Sequence, residues 1–121
     1  ITMNRQELGR QGEALALKFL QKKGYQILET NFHKRIGEID IIAKNPENQY
    51  IFIEVKTRRG NTFGYPEESV TALKMSKMRR TAELWLMSKK ITTDNIRLDV
   101  ISIELTPSIR EPRITHLENC A

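Results

Sequence analysis

Two stretches of sequence decide the fold: Gly37-Glu38-Ile39-Asp40-Ile41-Ile42-Ala43 and Ile51-Phe52-Ile53-Glu54-Val55-Lys56. Both are rich in isoleucine and valine and are bounded by turn residues, so they predict two neighbouring β-strands. They are also almost continuously apolar, which is typical of strands covered on both faces of a sheet. We therefore expect Asp40 and Glu54 to be at least partly buried, where a carboxylate needs a partner.

The remaining sequence predicts two helices and three further strands. Apolar spacing indicates helices over residues 6–23 and 66–88, with Pro66 and the two following acids marking the second start. Strands are expected over residues 25–32, 38–43, 50–56, 96–105 and 113–117. This order, α-β-β-β-α-β-β, predicts a single α/β domain over residues 3–121, with a mixed sheet flanked by helices. Ile1 and Thr2 precede Met3 and are expected to be a remnant outside the domain.

Each predicted helix carries a feature that bears on packing. Gly9 and Gly12 lie inside the first helix, each costing about 1 kcal/mol relative to alanine, which indicates a backbone passing close by. In the second helix the spacing predicts a buried stripe and a group of basic residues on or beside the solvent face. The stripe comprises Met75, Met78, Ala82, Trp85 and Leu86, and the basic residues are Lys74, Lys77, Arg79 and Arg80.

Composition excludes several classes of protein. With 39% hydrophobic and 29% charged residues among 121, the chain resembles an ordinary globular protein rather than a disordered or fibrous one. No apolar run approaches the roughly 18 residues of a membrane span, and no leader is evident, so we expect no membrane association. The lone cysteine, Cys120, excludes an internal disulfide and favours a cytoplasmic location.

The net charge of +5 is concentrated in one segment. Between Lys56 and Arg80 there are seven basic residues and two acidic ones, whereas the rest of the chain is balanced. A clustered basic surface is what nucleic acid binds, although basic helix faces also serve solubility alone. Candidate phosphate contacts are Arg58, Arg59, Lys74 and Lys77.

The charged residues of the two strands suggest chemistry. Residues two apart on a strand share a face, so Glu54 and Lys56 point the same way, and a hairpin can bring Asp40 beside them. Two carboxylates can hold a hard cation such as Mg²⁺ or Mn²⁺, and an ammonium group can stabilise charge on a phosphate. The alternative is an exposed hairpin whose charges form a weak cross-strand ion pair.

Three further features leave their alternatives open. Glu13 projects from the apolar edge of the first helix, where it either completes an acidic cluster or pairs with Arg10. Asp99 lies inside an apolar strand, where it either supports the site residues from behind or lies at the edge of the sheet. Phe63 and Tyr65 follow the strand that carries Lys56, and we expect them to pack onto the second helix rather than to stack on a base or a sugar.

Motifs spread over nearly the whole chain resemble the YraN-like family of small bacterial proteins. They are Gly9-Arg10-Gln11-Gly12-Glu13-Ala14, Gly24-Tyr25, Asn31-Phe32, Gly37 to Ala43, Phe52 to Arg58, Phe63-Gly64, Pro66 to Val70 and Arg97-Leu98-Asp99-Val100-Ile101. That family is similar in turn to the restriction-endonuclease-like PD-(D/E)XK nucleases, particularly archaeal Holliday junction resolvases. The resemblance implies an α/β sandwich and a metal-dependent nuclease acting on DNA, which is branched or structured in the resolvases.

The same resemblance implies residue roles. Asp40 and Glu54, with the carbonyl of Val55, would hold the metal, and Lys56 would be catalytic. Glu13 would match the helix-one glutamate of the resolvases. Ile39 stands where the nuclease motif is named for proline. Symmetric cutting of a junction implies a homodimer. The alternative from another class is a binding or scaffolding module that keeps the nuclease fold without turnover.

Overall fold

The computed structural model describes residues 4–59, 64–105 and 111–120. These ranges contain two α-helices, a 3-10 turn and five strands in the expected order α-β-β-β-α-β-β. The elements are α1 (Arg5–Lys22), β1 (Gln26–Lys34), β2 (Gly37–Lys44), β3 (Tyr50–Arg59), the 3-10 turn (Pro66–Ser69), α2 (Ala72–Ser88), β4 (Ile96–Leu105) and β5 (Arg113–Leu117). The expected single-domain α/β class is confirmed.

The strands form one mixed sheet in the order β1-β2-β3-β4-β5. Three of the four pairings are antiparallel, and β3 pairs with β4 in parallel. The crossover between β3 and β4 contains α2, as a parallel connection requires. Apolar side chains on one face of the sheet pack against α2 around Phe52 and Trp85. Those on the other face pack against α1 around Leu20 and Ile53.

The start of the second helix differs from the sequence prediction. Pro66 opens a short 3-10 turn that ends at Ser69, and α2 begins only at Ala72. Thr71 is extended, and its side chain accepts a hydrogen bond from the backbone N–H of Lys74 at 3.2 Å. Threonine favours this capping position because its hydroxyl satisfies a free N–H of the first turn. The expected buried stripe of α2 is confirmed, with Thr81 added to it.

One of the two helical glycines explains how α1 meets the sheet. A Cβ added at Gly12 would overlap the side chain of Thr57 on β3, whereas a Cβ at Gly9 would meet nothing within 4 Å. The expected close approach is therefore found at Gly12 and is absent at Gly9. It sets α1 tightly against β3 and thereby fixes the position of Glu13, the next residue. Neither described helix is long and apolar enough to cross a membrane.

Candidate active site

The candidate site lies where the pairing of β2 with β3 ends. The last paired residues are Ile41 and Ile53, and Asp40 and Glu54 come one position beyond them. Instead of a ladder bond, the backbone N–H of Val55 donates to Oδ2 of Asp40 at 2.7 Å. The expected hairpin thus places Asp40 directly beside the strand that carries Glu54, and both residues are partly buried, as predicted.

Asp40 sits in an environment that disfavours its charge. The pKa of its carboxyl group is raised from 3.8 to about 6, and burial is the largest cause of this rise. The hydrogen bond from Val55 opposes the rise, and the negative charges of Glu54, Glu38 and Glu13 contribute smaller parts of it. The charges of acids on β2, β3 and α1 therefore act on Asp40, and a bound cation would relieve their repulsion.

Glu54 has one carboxylate oxygen that is buried and lacks a hydrogen-bond donor among the described residues. Its Oε2 accepts no hydrogen bond within the described part of the chain. The Nζ of Lys74 lies 3.4 Å from this oxygen, an ion pair without hydrogen-bond geometry. The side chain of Lys74 is only 33% exposed. Lys74 therefore lies beside the solvent face of α2 rather than on it, and its long side chain turns from the edge of the helix toward the sheet.

Glu13 joins the acidic cluster. Its Oε1 accepts a hydrogen bond from Nδ2 of Asn31 at 2.9 Å, and its charge acts on Asp40. No ion pair between Glu13 and Arg10 occurs among the described residues. Asn31 was missed as a site residue by sequence reasoning. It has φ 55° within β1, and asparagine tolerates this left-handed conformation better than most residues.

The donor set fits a magnesium-type cation better than a transition metal. Across residues 4–59, 64–105 and 111–120, no three His, Cys, Asp or Glu side chains are grouped closely enough to hold a metal ion. Mg²⁺ needs fewer protein ligands, because it keeps several waters and binds through one or two carboxylates. Asp40 and Glu54 could supply these. The N–H and C=O of one strand residue face the same neighbour, so the carbonyl of Val55 also faces β2 and could be a third ligand.

Lys56 follows two residues after Glu54. Strand alternation puts both on the face of the sheet that packs against α2, and the side chain of Lys56 is exposed. A cavity of about 130 Å³ opens between the sheet and α2. Its lining includes Glu38, Glu54, Lys74 and Lys77. Glu38 and Glu54 thus face the same cavity as two basic residues of α2.

The candidate phosphate contacts have different surroundings. Arg59 and Lys77 are exposed, as are Arg79 and Arg80. Arg58 instead donates to the carbonyl of Gly64 at 3.2 Å and to Oγ of Ser69 at 2.9 Å, and so anchors the 3-10 turn. Tyr65 is 75% exposed, so the prediction that it packs onto the second helix is wrong. Phe63 lies outside the described residues.

Asp99 is separate from this site. Alternation places it with Ile101 on the α1 face of the sheet, opposite Glu54. It is fully buried and accepts hydrogen bonds from Arg97 at 2.9 and 3.0 Å, from Nε2 of His116 at 2.7 Å and from the N–H of Asn119 at 3.0 Å. Burial opposes its ionisation, but these bonds outweigh burial and lower its pKa. Asp99 therefore fastens β5 and the following residues to β4.

Comparison with known proteins gives one family. The model of the uncharacterised protein family UPF0102 matches residues 12–103. A UPF0102 protein of Syntrophomonas wolfei subsp. wolfei is 45% identical over 117 residues, which cover 97% of this chain and 98% of that protein. One from Caldicellulosiruptor saccharolyticus is 46% identical over 101 residues, covering 84% and 85%. One from Nocardia farcinica is 44% identical over 115 residues, covering 95% and 89%. These matches confirm the resemblance to the YraN-like family.

Proposed function

Because the chain belongs to the uncharacterised protein family UPF0102, its family name carries no activity, and we propose from its site that it is a metal-dependent DNA endonuclease. The observation that carries the proposal is the meeting of Asp40 and Glu54 at the end of the β2–β3 pairing. One of these carboxyl groups has a raised pKa, and the other has a buried oxygen without a hydrogen bond. Both features are accounted for by a divalent cation.

In this proposal the cation is Mg²⁺ or Mn²⁺, held by Asp40, Glu54 and the carbonyl of Val55. When bound, such an ion lowers the pKa of a water molecule and neutralises negative charge on a phosphate. The N–H of Val55 keeps the Asp40 carboxylate turned toward β3. Asn31 holds Glu13 at the border of the cluster, where its carboxylate can accept a proton from the attacking water.

Lys56 supplies the positive charge nearest in sequence to these ligands. Its exposed ammonium group, on the same sheet face as Glu54, can stabilise the charge that develops on the phosphate. The reaction is hydrolysis: the oxygen of water bonds to phosphorus, one P–O bond breaks, and the departing oxygen takes a proton. The exposed Arg59, Lys77, Arg79 and Arg80 would hold the DNA backbone without reading its sequence.

The substrate class follows from the same surface. These residues offer phosphate contacts on β3 and α2, and Tyr65 adds an exposed ring on which an unpaired base can stack. We therefore extend the proposal to branched or single-stranded regions of DNA, as the resemblance to junction resolvases implies. Two-fold symmetric cutting would require a homodimer. Action on the chromosome would place the enzyme in the cytoplasm.

The test combines metal binding with cleavage. Calorimetric titration of Mg²⁺ and Mn²⁺ should give saturable binding to the unmodified protein, which Asp40→Asn and Glu54→Gln each abolish. Glu83→Gln, which removes an exposed carboxylate on α2, is the matched control and should leave binding unchanged. A panel of four-way, flapped and single-stranded DNA should be cleaved by the unmodified protein and by Glu83→Gln alone.

Two outcomes would contradict the proposal in different ways. Absence of metal binding, with and without DNA, would remove the metal site itself. Metal-independent DNA binding that survives both substitutions, without cleavage of any substrate in the panel, would support a binding module that keeps the fold without turnover. Binding that falls steeply with salt would then mark phosphate contacts as its source.

A further inference from the structure

Lys74 occupies a place at the candidate site that the proposed chemistry does not use. Its Nζ lies 3.4 Å from Oε2 of Glu54, the buried oxygen that takes no hydrogen bond within the described residues. This is the one ion pair of Glu54 that the described ranges contain. A positive charge therefore already stands beside the carboxylate that would hold the metal.

The start of α2 directs Lys74 to this place. Thr71 caps the helix through the N–H of Lys74, which fixes the first turn. Lys74 then shares a helix face with Met78 and Thr81, four and seven residues on, and both of these are buried against the sheet. Lys74 is thus the partly exposed member of a buried helix face, and it lines the cavity beside Glu54.

The ion pair between Lys74 and Glu54 is long enough, at 3.4 Å, for Lys74 to leave it for another partner. The side chains of Glu54 and Lys74 are 27% and 33% exposed, so both keep some contact with solvent although Oε2 of Glu54 is itself buried. The two side chains line a cavity of about 130 Å³ together with Lys77, whose side chain is exposed. The ammonium group of Lys74 can therefore move from Glu54 toward the basic surface by rotation of its own side chain.

Resting on the proposed function, we propose that Lys74 is an exchangeable counter-ion that links metal binding to DNA binding. Without a divalent cation it pairs with Glu54. When Asp40 and Glu54 hold a cation, repulsion between like charges expels the ammonium group, which then pairs with a DNA phosphate. Because linkage is reciprocal, DNA that captures Lys74 also makes Glu54 more available to the metal.

The first test is metal affinity without DNA. Lys74→Met removes the competing charge and keeps most of the side-chain stem, so Mg²⁺ and Ca²⁺ should bind about three to ten times more tightly in calorimetry. Lys74→Arg keeps the charge and should bind about as the unmodified protein does. Lys18→Met removes an equal charge from an exposed position of α1, outside the cavity lining, and should change the dissociation constant of the metal little.

The second test asks where the ammonium group goes. DNA affinity is measured against salt concentration, once in EDTA and once with saturating Ca²⁺, and the DNA is checked on a gel for integrity after each titration. Each phosphate contact contributes about 0.9 to the slope of log K against log salt. With Ca²⁺ the slope for Lys74→Met should be shallower by about that amount than that of the unmodified protein. In EDTA the two slopes should agree.

The outcomes separate the inference from the proposed function. If the unmodified protein binds metal and DNA but Lys74→Met leaves metal affinity unchanged, or alters the salt slope equally in both conditions, Lys74 is not exchanged and this inference alone is wrong. If neither protein binds metal, the metal site fails and the inference falls with it. Thermal melting of each variant checks that a loss of binding does not arise from unfolding.

Discussion

Gly12 of α1 lies against Thr57 of β3 so closely that no side chain fits between helix and strand. The contact couples two parts of the candidate site, because Glu13 follows Gly12 and Lys56 precedes Thr57. A small residue is needed at this point even though glycine weakens a helix. The cost in helix stability is offset by an approach that brings a helical carboxylate to the sheet.

A matched pair of substitutions tests this contact. Gly12→Ala should destabilise the protein by about 1–3 kcal/mol, because the added methyl group overlaps Thr57 and α1 must shift. Gly9→Ala, in the same helix but with open space around it, should stabilise by up to about 1 kcal/mol through helix propensity. Urea unfolding gives both values, and equal effects at the two positions would contradict the close approach.

Asp40 makes the stability of the metal-free protein depend on pH. Its pKa is about 6 in the folded chain against 3.8 in the unfolded one, so between these values the folded state holds the extra proton. Stability should therefore fall as pH rises from about 4 to 6, by roughly 2–3 kcal/mol. Asp40→Asn, which can still accept from Val55, should lose this dependence and be more stable than the unmodified protein at pH 8.

Metal supplies the control for this prediction. In the proposed function a divalent cation binds the ionised carboxylate of Asp40, so Mg²⁺ should raise the melting temperature of the unmodified protein at pH 8 and leave that of Asp40→Asn unchanged. Glu47→Gln removes an exposed acid elsewhere and should keep the pH dependence of the unmodified chain. If Asp40→Asn is less stable than the unmodified protein at pH 8, the folded protein favours the charged form of Asp40, and this prediction is wrong.

Much of the fold follows from local pattern. Strands β4 and β5 lie where the sequence predicts them, and the buried stripe of α2 is correct, because alternation and helical spacing record burial directly. The sequence predicts the start of α2 too early. Pro66 and the two acids after it are typical of any helix start, including that of a one-turn 3-10 segment. Thr71, the actual cap, is also a residue type that is favoured at helix N-termini.

The site was predictable only in part. The position of Asp40 beside the strand of Glu54 follows from a hairpin, whereas the position of Lys74 beside Glu54 depends on tertiary packing at the edge of a buried helix face. Its spacing of four and seven residues from Met78 and Thr81 was an available signal. The partners of Asp99 were not predictable, because the register between β4 and β5 decides that His116 reaches it.

Asp99 should be essential for stability rather than for chemistry. Asp99→Asn removes the charge that Arg97 and His116 face, which should destabilise by about 3–5 kcal/mol. Because its pKa is lowered below 3.8, the stability it contributes is present above that pH and is lost as pH falls through the folded value. The difference from the unmodified protein should therefore shrink below about pH 4.

The matched control for Asp99 is Asp94→Asn. Asp94 is exposed in the turn before β4, and its substitution should change the free energy of unfolding by less than about 0.5 kcal/mol. Metal affinity gives the second readout. Asp99→Asn should retain its affinity for metal under conditions in which the variant is folded, since Asp99 and Glu54 lie on opposite faces of the sheet. Loss of metal binding from a folded Asp99→Asn protein would place Asp99 in the site.

Arg58 and Arg59 are neighbours in sequence but should differ in function. Arg59 is exposed on the basic surface, so Arg59→Ala should weaken DNA binding and reduce the salt slope by about 0.9, the value of one phosphate contact. The guanidinium of Arg58 is occupied by Gly64 and Ser69. Arg58→Ala should therefore destabilise by about 1–2 kcal/mol, through the lost hydrogen bonds of the 3-10 turn, and leave the salt slope unchanged. Slopes reduced equally in both variants would mean that Arg58 exchanges its protein partners for a phosphate.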